Sequence, residues 1–213
     1  MEKGVAILGG NSRREHWPDY DQKRWEVWGV NSIRPHWVNR WDRMFNLHRF
    51  SHLERDCPQY VDWDTTWSRR NPKVPLYVCD SWGGLLTNEL LYPLARIQRL
   101  PRGGLYHAGS FDMLVAMAVL MKAKDIRLHG IGLNNESGEP ISARACMEYW
   151  CGVAEGRGIP VFSTPDCDLF LQYHIVKSRT VYGFDDVKLV EDKTGEAATP
   201  FTEKASAVRK VKR

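Results

Sequence analysis

Three short apolar runs in this chain end in side-chain amides. Val5-Ala6-Ile7-Leu8 stops at Gly9-Gly10-Asn11-Ser12, and Trp25-Glu26-Val27-Trp28-Gly29-Val30 stops at Asn31-Ser32. Asp42-Arg43-Met44-Phe45-Asn46-Leu47 stops at His48. An amide carries two donors and an acceptor, so a group of amides reads base edges and ribose hydroxyls well. Farther along, Gly109-Ser110 opens an apolar helical stretch. A helix start offers free backbone N–H groups and the positive end of a dipole, which suit a phosphate. Gly9, Gly10, Asn11, Ser12, Asn31, Gly109 and Ser110 thus outline a nucleotide pocket. Asn46, His48 and Asn134 stand beside it for a second substrate. The plainer reading is that Asn and Ser merely end strands, as turn residues do. Three strands that end in Asn favour the pocket.

Acid–base candidates are few. Glu136 and Glu139 follow the Asp125–Ile131 run, His107 precedes Gly109 by two residues, and His48 ends the third run. Glu139 is the expected general base, with His107 as its substitute. Arg144 and Glu148 are spaced i, i+4, and two readings stay open. They form a surface ion pair that stabilises by tenths of a kcal/mol (about 0.2–0.5), or they face the pocket and contact substrate. Asp62-Trp63-Asp64 has the D-x-D form whose hard oxygens could hold Mg²⁺ or Mn²⁺. The same residues also read as a solvated acidic turn. G-x-G-x-x-G after the first run, GxxxxGK[ST] and G-x-S-x-G are all absent. Those absences disfavour a dehydrogenase, a P-loop kinase and a serine-hydrolase elbow.

The elements that must position these residues follow from hydrophobic pattern. The three runs above read as strands, continuous and apolar as in a sheet covered on both faces. Pro75-Leu76-Tyr77-Val78-Cys79 reads as a fourth, Asp125–Ile131 as a fifth and Ile159–Phe162 as a sixth. Pro160 favours an edge or a strand start. Residues 110–123 carry a helical stripe wide enough for deep burial, with Ser110 as the expected N-cap. A second helix is expected over 142–155, stopped by Gly156 and Gly158. Helix–strand pairs with short connections predict an α/β, Rossmann-like open sheet, mostly parallel, with helices on both faces. Ligands then bind beyond the carboxyl ends of the strands. Residues 1–187 are expected to form one nucleotide-binding domain, with 59–88 an irregular insertion or lid. Residues 188–213 read as a flexible basic tail.

Composition agrees with one globular domain: 213 residues, 43% hydrophobic and 26% charged. No apolar run approaches the ~20 residues that span a bilayer. The first residues lack a basic start and apolar stretch, so no signal peptide is expected. Five scattered cysteines without a CxxC pair fit a reducing cytoplasm. Net charge is +4, compatible with an anionic partner. Nine tryptophans are many for the length, and seven fall between Trp17 and Trp67. They serve either as large packing units or as flat surfaces for bases and sugars.

Taken in order, Val5–Ser12, Trp28-Gly29-Val30-Asn31, Phe45-Asn46-Leu47-His48, Ala108-Gly109-Ser110 with Ala116-Met117-Ala118, and Ile126–Leu133 resemble the bacterial sialyltransferases that use CMP-sialic acid. Related glycosyltransferase-like proteins with a motility-accessory-type domain are similar too. The resemblance covers about residues 4–165. It implies a nucleotide-sugar donor, nucleotide contacts at Asn11 and Asn31, phosphate contacts at Gly109 and Ser110, and Asn46 near the sugar. It also implies direct displacement without a required metal. One departure stands out. The family carries a catalytic histidine in the loop before the last helix, where this chain has Gly138-Glu139-Pro140-Ile141-Ser142. The segments Arg144–Trp150 and Ala154–Ile159 also resemble small phage-encoded proteins. The leading expectation is a transferase acting on hydroxylated bases in DNA or on a glycan. The other is a non-catalytic nucleotide- or nucleic-acid-binding protein on the same fold.

Overall fold

The structure, a computed structural model, describes residues 2–16, 23–31, 37–100, 106–133, 141–167, 169, 180–181 and 184–188. The chain divides into two units, Met1–Phe170 and Leu171–Arg213. In the second unit the described residues form an antiparallel hairpin, Thr180–Val181 with Phe184–Lys188. Of residues 188–213, expected as a basic tail, Lys188 ends this hairpin and 189–213 lie outside the described residues.

The first unit is an open α/β sheet of seven parallel strands. They are β1 Gly4–Leu8, β2 Trp25–Val30, β3 Arg43–Asn46, β4 Leu76–Val78, β5 Glu89–Leu91, β6 Ile126–His129 and β7 Val161–Ser163. Their order is β5-β4-β3-β2-β1-β6-β7, and every pairing is parallel. The chain walks outward from β1 to β5, then crosses back to place β6 on the other side of β1. The order therefore reverses between β1 and β6, which is where ligands gather in such sheets.

Alternation along the strands loads both faces. Val5, Ile7, Trp28, Val30, Phe45 and Leu128 pack against α4 Ser110–Leu120 and α5 Ile141–Glu155. Ala6, Leu8 and Val27 pack on the opposite face beneath Trp37, Val38 and Trp41. Met44, Leu76 and Val78 are covered there too, by Leu53 of α1 Phe50–Asp56, by Val61 and Trp67 of α2 Pro58–Arg70, and by Trp82 and Leu86. Helix α4 is buried on most of its circumference, as its wide apolar stripe requires. A single turn of helix, α3 Leu94–Ile97, follows β5. No helix among the described residues is long and apolar enough to cross a membrane.

The stretch 59–88, expected to be irregular, contains most of α2 and all of β4. Pro58 supplies the proline at the first turn of α2. The positions α2 buries most deeply are polar: Asp64 and Ser68 are 2% and 0% exposed. Asp64 accepts from the Asn46 amide at 2.6 Å, and the Ser68 carbonyl accepts from the Thr87 hydroxyl at 2.8 Å. A helix seated on hydrogen bonds shows no apolar period in its sequence. The indoles act mainly as packing units. Trp28, Trp82 and Trp150 are fully buried, Trp25 nearly so, while Trp63 is exposed.

Candidate functional site

At the carboxyl ends of β1 and β6 the backbones touch. The Gly9 N–H donates to the His129 carbonyl at 2.7 Å, and the Asn11 N–H to the Gly130 carbonyl at 2.9 Å. The Ser12 Oγ lies 2.7 Å from the Gly9 carbonyl and 2.9 Å from that of His129. Gly9, Gly10, Asn11 and Ser12 therefore form a turn closed against β6, and the Ser12 hydroxyl is directed at backbone.

Asp166 fastens this turn. Its carboxylate is 3% exposed and accepts from the Arg13 N–H at 2.9 Å, the Gly130 N–H at 3.1 Å and the Thr164 hydroxyl, with His16 Nδ1 at 3.3 Å. Burial alone raises its pKa, but the donors from Thr164, Arg13, His16 and Gly130 outweigh burial and hold it below the usual carboxylate range. His129, beneath it, is pushed down to about 3 by burial and stays neutral. A carboxyl whose folded pKa is depressed stabilises fully above its unfolded value of about 3.9 and loses that contribution as pH falls through the folded value. Asp166→Asn should therefore cost about 2 kcal/mol at pH 7, the scale of a hydrogen bond to a charged group. The gap to wild type should begin to narrow below about pH 4 and close only as pH falls through the lower, folded value. Urea titrations at pH 7 and pH 3.5 check this. A gap that stays constant with pH would mean the charge plays no part.

A cleft of about 450 Å³ opens past the carboxyl ends of β2 and β3. Asn31, His48, His107, Gly109 and Ser110 line it, so it gathers residues from β2, the end of β3 and the start of α4. Asn31 sits at φ 51°, a left-handed conformation that asparagine tolerates better than other side-chain-bearing residues. Its N–H donates to the Phe45 carbonyl at 2.7 Å. Its Oδ1 is buried and has no hydrogen-bond partner among the described residues.

The start of α4 differs by one residue from expectation. Gly109, not Ser110, is the N-cap. Asp112 sets this: its Oδ2 accepts from the N–H groups of Ala108 and Gly109 at 2.8 and 3.0 Å. Glycine offers no side chain to cap the first turn, so the leading amides of α4 are left for water or a ligand. The other oxygen, Oδ1, lies 2.9 Å from His107 Nδ1. The Asp112 side chain is 0% exposed and that of His107 12%. The imidazole stacks on Trp150, centroids 5.1 Å apart and planes at 13°, and Trp150 donates its indole N–H to the Tyr106 carbonyl at 3.0 Å. His107 Nε2 is buried and has no partner among the described residues.

The remaining candidates lie elsewhere. Asn46 is 2% exposed, and its amide joins Asp64 and the His48 N–H, outside the cleft lining. Gly9, Gly10, Asn11 and Ser12 are not among the residues lining this cleft. Arg144 and Glu148 pair with each other at 2.9 Å along α5. Asp62 and Asp64 do not form a shared cation site. They lie two apart on α2, where side chains point to different sides, and Asp64 is turned inward to Asn46. Among the described residues no group of three His, Cys, Asp or Glu side chains could hold a metal ion. Asn134, Glu136 and Glu139 lie outside the described residues. Two residues were missed by sequence reasoning. Asp112 carried a signal, an acid three residues after a helix N-cap. Asp166 carried none.

No family of known sequences and no curated protein matches this chain. Solved structures do. The sialyltransferase CstII from Campylobacter jejuni, in complex with the substrate analogue cytidine-5'-monophosphate, matches with a TM-score of 0.52 at 12% identity, over 82% of this chain and 83% of that one. A point variant of CstII in complex with CMP matches at 0.53 and 13%, over 82% and 84%. CstII with CMP-3FNeuAc matches at 0.50 and 13%, over 76% and 81%. At this identity the likeness is one of fold: an open, parallel, Rossmann-type α/β sheet.

Proposed function

We propose that this chain is a nucleotide-sugar-dependent glycosyltransferase whose donor is a CMP-sugar. The observation that carries the reading is a cleft at the carboxyl edge of the sheet that joins two unmet needs. One is the buried, unpartnered Oδ1 of Asn31, an acceptor for a ligand N–H or O–H. The other is the uncapped N-terminus of α4, suited to a phosphate. A nucleoside monophosphate presents both. CMP bound to structures of the same fold supports cytidine over other bases. In the reaction an acceptor hydroxyl attacks the anomeric carbon, and the α4 amides with Ser110 hold the phosphate as it departs. The acceptor is a hydroxyl group. A hydroxylated DNA base, favoured by the net charge of +4 and the phage-like segments, is to be assayed beside glycans.

Thermal shift with CMP, UDP and GDP, followed by turnover of a CMP-sugar, tests the reading. At a CMP concentration 100 times Kd the expected stabilisation is about 2.7 kcal/mol. Ser110→Ala should weaken CMP about 2- to 10-fold, the range for one neutral hydrogen bond. Absence of any nucleotide shift would end the proposal. CMP binding without sugar transfer to any hydroxyl would make the chain a nucleotide-binding protein instead.

A further inference from the structure

Deepening the CMP-sugar reading, on which it rests, we propose that His107 is a phosphate-binding residue of the cleft. Its Nε2–H donates to the nucleotide's phosphate, and Asp112 is the positioning residue that holds the imidazole for that contact.

The protonation pattern follows from the partners. An ionised carboxylate only accepts, so the 2.9 Å contact to Asp112 Oδ1 places a proton on His107 Nδ1. The second oxygen of Asp112 is already engaged by two backbone N–H groups, so this carboxylate is fixed in place. Trp150, parallel to the imidazole, blocks its rotation about the remaining bond. The outcome is a ring with one orientation and one unmet nitrogen, Nε2, buried at the wall of the cleft. With Nδ1–H committed, Nε2 donates when the ring is the imidazolium.

Position selects this role over that of general base. His107 lies three residues before Ser110, in the same short segment whose backbone aims at the phosphate. In a direct displacement the attacking oxygen and the departing oxygen lie in line on opposite sides of the anomeric carbon. A side chain on the phosphate side cannot also meet the attacking hydroxyl. In the step itself the acceptor oxygen–carbon bond forms and the anomeric carbon–oxygen bond to phosphate breaks. The electron pair leaves with the phosphate oxygen, toward which His107 Nε2–H donates as charge grows there. The acceptor proton departs on the far side, to a general base or to solvent.

The test compares CMP with cytidine, which lacks the phosphate, by calorimetry on the full chain at pH 7. Wild type should prefer CMP. His107→Phe keeps a ring against Trp150 and removes both nitrogens. It should cut the CMP-over-cytidine preference about 10- to 100-fold, as expected for a charge-assisted hydrogen bond, with cytidine affinity unchanged. His107→Gln, which keeps a terminal donor, should retain part of the preference. Asp112→Asn should lower it too, since the ring loses the carboxylate that holds it in place for the contact. In the His107→Phe background Asp112→Asn should cause no further loss of preference, whereas a role through the start of α4 alone would lower it again. Melting curves confirm that each variant is folded. Equal loss of CMP and cytidine in His107→Phe would show that the ring only shapes the cleft, and an unchanged preference would show that Nε2 never meets phosphate. Either overturns the proposal. Wild-type protein that binds neither ligand overturns the donor reading and this role together.

Discussion

Gly130→Ala should destabilise this protein by about 4 kcal/mol, the sum of left-handed strain and overpacking, and lower its Tm by about 10 °C for a domain of this size. Gly130 sits at φ 55°, where a Cβ is strained. An added Cβ would lie 1.9 Å from the Ser12 nitrogen and 2.3 Å from Asn11 C and Ser12 Cα. All three are backbone atoms, so no side chain can swing aside. The crowding is mutual, since a Cβ on Gly9 would meet the Gly130 carbonyl oxygen at 2.4 Å. Two facing glycines thus allow β1 and β6 to close at the point where the strand order reverses. Gly152 supplies the control. It lies within α5, and a Cβ there meets nothing within 4 Å. Gly152→Ala should raise stability by about 0.5–1 kcal/mol through helix propensity. Urea midpoints of the two variants should therefore move in opposite directions. A Gly130→Ala variant within 1 kcal/mol of wild type would show that the Gly9–Gly130 contact is not tight in solution.

What the sequence made legible follows from where burial is apolar. β1, β2, β3, β4 and β6 announced themselves as short apolar runs because both of their faces are covered, and β7, an edge strand of half-buried residues, did so by Val161-Phe162 alone. Helices α4 and α5 did so because their stripes, such as Ala143, Cys146, Met147 and Trp150, recur at the helical period. β5 did not, since it is an edge strand of three residues whose Leu90 and Leu91 are both exposed. Helix α2 was hidden for the opposite reason: it buries Asp64 and Ser68, which read as loop chemistry. The rule that ligands sit beyond carboxyl ends pointed to Asn31, His48, Gly109 and Ser110, which share one cleft. The same rule could not tell them from Asn46, whose amide is turned to Asp64, a partner 18 residues away. Asp166 was invisible because it meets Arg13 and Gly130 across 153 and 36 residues. Such pairings exist only once the sheet has formed.

Trp150→Ala should cost about 3–5 kcal/mol, the range for removing a fully buried large aromatic. Against a total stability of about 5–15 kcal/mol, that is enough to populate unfolded chain on mild heating. Trp150 is 0% exposed and packs among Ala143, Met147 and Ala154 of its own helix and residues of α4. Its pattern position on α5 already marked it as core. The structure adds two contacts that pattern cannot show: the indole N–H to the Tyr106 carbonyl and the stack with His107. Trp150→Phe separates them from the burial. Phenylalanine keeps an aromatic face toward His107 but loses the donor and part of the volume. It should cost about 1–3 kcal/mol, the penalty for an unsatisfied carbonyl with a small cavity. Alanine removes the surface that holds the imidazole, so it should also weaken CMP more than cytidine under conditions where the variant is folded. Phenylalanine should leave that preference near wild type. Trp150 would then act on the cleft through the ring it supports, and the two effects are separable because one is read in urea and the other in the ratio of two affinities. Equal costs for Phe and Ala would place the whole contribution in the indole hydrogen bond. A loss below 1 kcal/mol for Ala would contradict the burial of this residue.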